Sequence, residues 1–166
     1  MITAEDDVDR IIAQWAVERP DLRTEAMEVF GRIYRIAHHM AVRQEATYAR
    51  FGISRGDFDV LATLRRAGEP FQLSPKALST SLMLTTGGMT GRLDRLERAA
   101  LITRSPDPVD RRALLVTLSP EGRSLVDDAV AAGLAVQTEA LGRLPEQGRA
   151  ELAGLLRTLL AATTEE

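Results

Sequence analysis

One short run of the sequence, residues 85–98, combines hydroxyl, guanidinium and glycine groups at helical spacing. At 100° per residue, Met89, Leu93 and Leu96 share one face, so the opposite face carries small and cationic residues. Hydroxyls and guanidiniums donate hydrogen bonds to phosphates and base edges, and the major groove of double-stranded DNA admits a helix. We expect the DNA-contacting residues of this helix to be Thr86, Gly87, Thr90, Gly91, Arg95 and Arg98.

The glycines of this predicted helix need an explanation. Gly87, Gly88 and Gly91 lie in or near its first turns, and each glycine in a helix interior costs about 1 kcal/mol relative to alanine. Close approach to DNA is one explanation, because a helix without Cβ atoms on one face can lie deeper in the groove. A frayed start of the helix is the alternative.

A second group of charged residues lies between two predicted β-strands, 101–105 and 112–118. The connecting turn contains two prolines and two aspartates, which is typical of a hairpin. We expect Arg111 at its tip to enter the minor groove, where narrow A·T-rich sequences concentrate negative potential. Asp110 is expected to orient the neighbouring arginines, and Arg112 completes the DNA-binding set of this turn. A solvated charged turn is the alternative.

Capping residues place both groups in a winged helix-turn-helix. Ser74 and Pro75 begin a short helix, and an apolar turn leads to a second cap at Thr85 or Thr86. An earlier helix begins after Ser54. The predicted fold class is therefore mainly α with a small β-hairpin wing.

Apolar helices are predicted on both sides of this lobe. The first follows a cap at Thr3, the second covers about 24–49, and the last opens at Pro145. Their apolar faces have no evident partner in the winged lobe, so we expect them to pack against a second copy across a two-fold axis. An intrachain bundle is the alternative. The expected organisation is one domain, 1–166. Its dimerisation helices are 1–49 and 119–166, and its DNA-binding lobe is 50–118.

Composition supports this division of the chain. The 166 residues are 45% hydrophobic and 27% charged, with a net charge of −3, which suits one compact domain. Segment 50–118 holds 11 basic and 7 acidic residues, whereas the flanks hold 10 basic and 17 acidic residues. Salt screens charge over about 8 Å, so local charge governs attraction to phosphate. The positive charge lies in the predicted DNA-binding lobe.

Several chemistries are excluded by residue type. The sequence has no cysteine and only two histidines, His38 and His39, so thiol catalysis, disulfides and Cys/His zinc sites are excluded or nearly so. We expect both histidines at the surface or an interface. Neither a phosphate-binding glycine loop nor a nucleophile–base pair is evident, which argues against an enzyme and against a cofactor. We expect no membrane span and a cytoplasmic location, since long apolar runs and an export signal are absent.

Two groups of motifs resemble the MarR family of bacterial transcriptional regulators, and the likeness covers about 27–161. The more specific group is 107–112 followed by 116–122, which looks like the family's wing signature. The other is 92–97 with 101–104. The resemblance implies an obligate homodimer whose terminal helices form the interface and whose winged lobes read an inverted repeat. It also implies repression, or less often activation, relieved by a small molecule.

The chain departs from the family at the end of the recognition helix. Ala99 and Ala100 stand where the family usually places glycine before Leu-Ile. This puts the usual left-handed cap in doubt, because a Cβ atom disfavours positive φ.

A narrower resemblance is to the urate-responsive branch of the family. It includes the added N-terminal helix and four residues, Trp15, Asp59, Arg92 and Arg104. In that branch the matching residues form a ligand site in which the tryptophan and one arginine hold a planar anion. The aspartate pairs with an arginine whose displacement moves the recognition helix. Alternatives are a core role for Trp15 and a structural salt bridge from Asp59 to Arg104.

The implied partners are double-stranded DNA, a second copy of the chain and a small anionic effector. A urate- or purine-like anion and a polycarboxylate such as citrate both fit two arginines. The rival function is a ligand-sensing or protein-interaction dimer that keeps the winged fold without binding DNA, since fold alone does not fix function.

Overall fold

A computed structural model describes residues 5–108 and 113–164 of the chain. These residues form two compact units, 1–45 and 46–166. Asp110, Arg111 and Arg112, the predicted DNA-binding residues of the wing, lie outside the described residues, as does the side chain of Thr86.

The first unit contains helix α1, Asp7–Glu18, and most of helix α2, Glu25–Ala49. The predicted cap at Thr3 is wrong, because Asp6 accepts hydrogen bonds from the first-turn amides and forms a capping box with Asp9. Val8 is buried against the glycine of α2, Gly31, where a Cβ atom would lie 3.0 Å from a Val8 methyl group.

The second unit carries the winged helix-turn-helix. Ser54 and Ser74 cap its first two helices as predicted, and Pro75 occupies the first turn of the second. Thr85, rather than Thr86, caps the following helix. The elements in chain order are α3 (Arg55–Arg66), β1 (Gln72–Leu73), α4 (Pro75–Ser81), α5 (Thr86–Arg98), β2 (Ile102–Pro106), β3 (Leu114–Leu118), α6 (Pro120–Leu141) and α7 (Glu146–Ala162).

The wing is a three-stranded antiparallel sheet of order β1-β3-β2. Ile102 pairs with Leu118 and Pro106 with Leu114, which confirms the predicted hairpin. Strand β1, in which Gln72 pairs with Thr117, is an additional strand that the sequence pattern does not predict. Two residues are too short a run to show the alternation by which strands are recognised.

One apolar core joins α3, α4, α5 and α6 to the sheet. Met89, Leu93 and Leu96 of α5 are buried in it, so the predicted inward face of this helix is confirmed. The core also contains Val60, Leu61, Leu64, Leu78, Ile102, Val116, Val126 and Ala129. Helix α5 is thus fixed by burial of one face, which leaves its opposite face to solvent.

Helix α5 ends in a left-handed cap although no glycine is present. Ala100 has φ +58°, and its amide donates to the carbonyl of Glu97 at 2.9 Å. The amide of Leu101 donates to the carbonyl of Leu96 at 3.0 Å. These two bonds define a Schellman motif. Alanine therefore holds the conformation that glycine adopts without a steric penalty.

We predict that Ala100→Gly raises the free energy of unfolding by about 1 kcal/mol, because it removes the steric cost of positive φ. Urea unfolding of the two proteins measures the difference. Ala99→Gly is the matched control. Ala99 has φ −82°, so glycine there should lower stability. Equal effects at the two positions would contradict the assignment of strain to Ala100.

Candidate nucleic-acid interface

The outward face of α5 is exposed and small. Gly87, Thr90, Gly91, Arg95 and Arg98 are all exposed, as the helical wheel predicts. Thr86 is the first residue of the helix. The structure therefore brings the described members of the predicted set onto one accessible surface, which we call the α5 face.

Two glycines of the α5 face have no packing reason to be glycine. A Cβ atom at Gly87 would meet nothing within 4 Å, and one at Gly91 would meet only an Arg95 nitrogen at 4.0 Å. Thr85 caps the helix through the amide of Gly88, so the first turn has a side-chain cap. The glycines remain consistent with close approach of an external partner.

The two arginines of the α5 face differ in their partners. Arg95 Nη2 lies 2.9 Å from Asp57 Oδ1, and Arg95 Nη1 donates to the carbonyl of Gly91 at 3.2 Å. Arg98 Nε donates to the carbonyl of Asp94 at 3.1 Å. Asp57 was not predicted as a functional residue. The capping-box spacing after Ser54 indicates its place in α3, but its partner on a distant helix has no local signal.

Arg92 and Arg104, predicted ligand residues, also have partners within the chain. Arg92 Nη1 donates to the carbonyl of Gly56 at 3.0 Å. Arg104 lies against the carboxylates of Asp94, at 2.8 Å, and Glu97, and it lowers the pKa of Glu97. The alternative structural salt bridge from Asp59 to Arg104 is wrong, because Arg104 pairs with α5 carboxylates.

Asp59 is partly buried on α3 and lies in a distinct electrostatic environment. Burial raises the pKa of Asp59, while the positive charges of Arg55, Arg92 and Arg66 oppose the rise. Burial, together with the charge of Asp59, also raises the pKa of Tyr48. The folded state therefore favours the protonated form of Asp59 more than the unfolded state does.

Trp15, the fourth predicted ligand residue, belongs to the first unit, whereas the other three belong to the second. Its side chain is 41% exposed, which does not support a core role within the chain. His38 and His39 are exposed with their rings 5.8 Å apart, consistent with the predicted surface location.

Two further properties concern the described residues. No helix among them is both long and apolar enough to cross a membrane. Within residues 5–108 and 113–164, no group of three or more acidic or histidine side chains is placed to hold a metal ion.

Comparisons with known proteins agree with this geometry. A sequence model of the MarR family matches residues 51–113. The HTH-type transcriptional regulator PecS of Dickeya dadantii is 35% identical over 150 residues, which are 90% of each chain. A probable transcriptional regulator from Pseudomonas aeruginosa has 31% identity and a TM-score of 0.63, over 76% of this chain and 96% of that one. A mutant MarR from E. coli complexed with operator DNA has 25% identity and a TM-score of 0.72, over 82% and 96%.

We predict that Asp59→Asn stabilises the protein at neutral pH. Because the folded pKa of Asp59 is raised, ionisation costs stability as the pH rises through that pKa. The gain in unfolding free energy should therefore shrink as the pH falls towards about 3.9, the ordinary pKa of aspartate. Thermal unfolding at several pH values measures it.

Asp127→Asn is the matched control, because Asp127 pairs with Arg65 at 2.8 Å near the surface. Its loss should lower stability by at most about 1 kcal/mol. A destabilised Asp59→Asn protein at neutral pH would contradict the unfavourable burial of Asp59.

Proposed function

Because the chain belongs to the MarR family of transcriptional regulators, we propose that it represses transcription by binding a pseudo-palindromic operator as a homodimer. We further propose that a small anionic ligand modulates this binding. The observation that carries the proposal is the α5 face, where glycines and Thr90 are exposed on the second helix of a helix-turn-helix. The N-terminal part of such a helix contacts base edges.

Geometry and charge support DNA as the partner. Gly87 and Gly91 carry no side chains in the first turns of α5, so the backbone at these two positions can approach base edges closely. Segment 50–118 has an excess of four positive charges, which attracts phosphate. In this proposal the wing residues Asp110, Arg111 and Arg112 serve the neighbouring minor groove.

Exposed apolar residues on the terminal helices support a homodimer. α7 has no buried residue among those described, and Leu155 is 71% exposed. Val17 of α1 and Ile36 of α2 are also exposed. Water contact with large apolar side chains is unfavourable, and burial against a second copy would remove these faces from water. A two-fold dimer would also present two α5 faces to an inverted repeat.

For the ligand, we propose a site made of Trp15, Asp59, Arg92 and Arg104. In this site the tryptophan and one of the two arginines hold a planar anion. The exposed indole of Trp15 can stack on a flat ring. Arg92 connects α5 to α3, and Arg104 connects β2 to α5. An anion that drew either guanidinium away would therefore change the support of α5. Urate- or purine-like anions and polycarboxylates are the two candidate classes.

We predict that the protein selects a specific DNA sequence. Selection from a random duplex library at about 150 mM salt should enrich an inverted repeat with half-site centres about one helical turn apart. Salt at this concentration weakens binding that is purely electrostatic. If the folded dimer enriches no sequence, the ligand-sensing dimer without DNA binding becomes the better reading.

The second prediction concerns the glycines of the α5 face. Gly87→Ala and Gly91→Ala should each stabilise the fold by about 1 kcal/mol, because alanine favours helix and the new Cβ atom meets no close neighbour. Each should nevertheless weaken operator binding by about 1–3 kcal/mol, comparable with a lost base contact. Urea unfolding and operator titration measure the two effects.

Ala100→Gly is the control for this prediction, since it should also stabilise the protein but adds no atom to the α5 face. Its operator affinity should match the wild type. Unchanged operator affinity in both glycine variants would remove close approach as the reason for these residues.

The third prediction concerns the effector. Trp15 is the only tryptophan, so its emission reports on the proposed site alone. Titration with urate or xanthine should quench it to saturation and release operator DNA over the same concentration range, because one ligand would drive both changes. Citrate at matched ionic strength distinguishes a planar ring from a polycarboxylate. If none of the three changes emission or operator affinity, the proposed ligand site is wrong.

A further inference from the structure

Two arginines fasten the recognition helix to the first turn of α3. Arg95 of α5 lies 2.9 Å from the Asp57 carboxylate, and Arg92 donates to the carbonyl of Gly56 at 3.0 Å. Residues three apart project from neighbouring positions on a helix, so both guanidiniums meet the same turn of α3. The connection adds directional polar contacts to the apolar packing of α5.

Hydrogen bonds at the start of α3 hold the Asp57 side chain in place, independently of its contact with α5. Its side chain is only 10% exposed. The Ser54 hydroxyl donates to Asp57 Oδ2 at 2.7 Å, and the Ser54 amide donates to the same oxygen at 3.3 Å. Asp57 Oδ1 remains for Arg95, so both carboxylate oxygens are used and the acceptor is preorganised.

Gly56 makes the neighbouring contact possible. A Cβ atom at this position would lie 2.5 Å from Arg92 Cζ, well inside van der Waals contact. The absence of a side chain therefore lets the Arg92 guanidinium lie against the backbone of α3. A side chain at this position would require the Arg92 guanidinium to move.

We propose that Asp57 is a positioning residue for DNA recognition, acting through Arg95 to fix the orientation of the α5 face. This inference rests on the proposed operator binding. Gly87 and Arg95 are eight residues apart, which is about 12 Å along the helix axis. A tilt of about 10° around the Asp57–Arg95 pair would move the first turn of α5 by about 2 Å. Recognition groups must be held within about 0.5 Å, so the pair has leverage over DNA contacts that it does not itself make.

The opposite role for Arg95 predicts the opposite effect of Asp57. If Arg95 contacts a phosphate, Asp57 competes with DNA for the guanidinium, and Asp57→Asn should tighten operator binding. If the pair positions α5, Asp57→Asn should weaken binding to the operator. The sign of this one change separates the two roles.

The experiment compares Asp57→Asn, Arg95→Gln and the double variant in the full-length protein. Operator affinity, its dependence on salt concentration, and affinity for random duplex DNA are measured for each. Each single change should weaken operator binding by about tenfold, and the double variant should be no weaker than the worse single variant. Salt dependence and random-duplex affinity should stay unchanged, because no phosphate contact is lost. Arg95→Lys should recover part of the operator affinity.

Ser74→Ala is the matched control for general loss of a helix cap. It removes the hydroxyl that caps α4 through the amide of Ala77, and it contacts neither Asp57 nor Arg95. It should lower the free energy of unfolding while keeping the ratio of operator to random-duplex affinity. Arg95 is 52% exposed, so Arg95→Gln and Arg95→Lys keep the test possible if Asp57→Asn does not fold.

Any one of three changes in the variants would overturn the inference, as would the absence of any effect. The changes are tighter binding by Asp57→Asn, a salt slope lower by about one for Arg95→Gln, and additive losses in the double variant. If the wild-type dimer selects no operator, the proposed function and this inference fail together. If the wild type binds an operator and Asp57→Asn and Arg95→Gln bind it equally well, only the inference fails.

Discussion

Burial of one face of α5 is the constraint on which the rest of the structure depends. Met89, Leu93 and Leu96 enter the core formed with α3 and the sheet. Apolar side chains have little freedom to leave a close-packed interior, so this burial decides which face of the helix stays in solvent. The exposed glycines and Thr90 follow from it, since they lie on the opposite side of the same helix.

Polar contacts add direction to this packing from two sides. Arg95 and Arg92 connect α5 to α3, while Arg104 of β2 meets the carboxylates of Asp94 and Glu97 on α5. An arginine fork holds a carboxylate in a defined geometry, which apolar packing alone does not impose. Helix α5 is thus supported by both α3 and the wing, and a change at either support reaches the proposed DNA contacts.

The same arginines show how sequence and structure assign different roles. Helical spacing predicts Arg95 as a DNA contact, and the family resemblance implies Arg92 and Arg104 as ligand residues. In the fold each has an intramolecular partner, so an external anion would have to compete with a contact already made. In the proposed function this competition would couple the ligand to DNA, because a shared guanidinium cannot satisfy both partners fully.

The sequence by itself determined the helices, most of their caps, the wing hairpin and the exposed face of α5. These features depend on periodicity and on neighbours within a few residues, as at Ser54, Ser74 and Thr85. Only the tertiary structure decided the edge strand β1, the left-handed Ala100 and the pairing of Asp57 with Arg95. The strand β1 and the Asp57–Arg95 pair depend on groups distant in sequence, and the left-handed Ala100 carries strain that packing elsewhere offsets. None of these three features leaves a local pattern in the sequence.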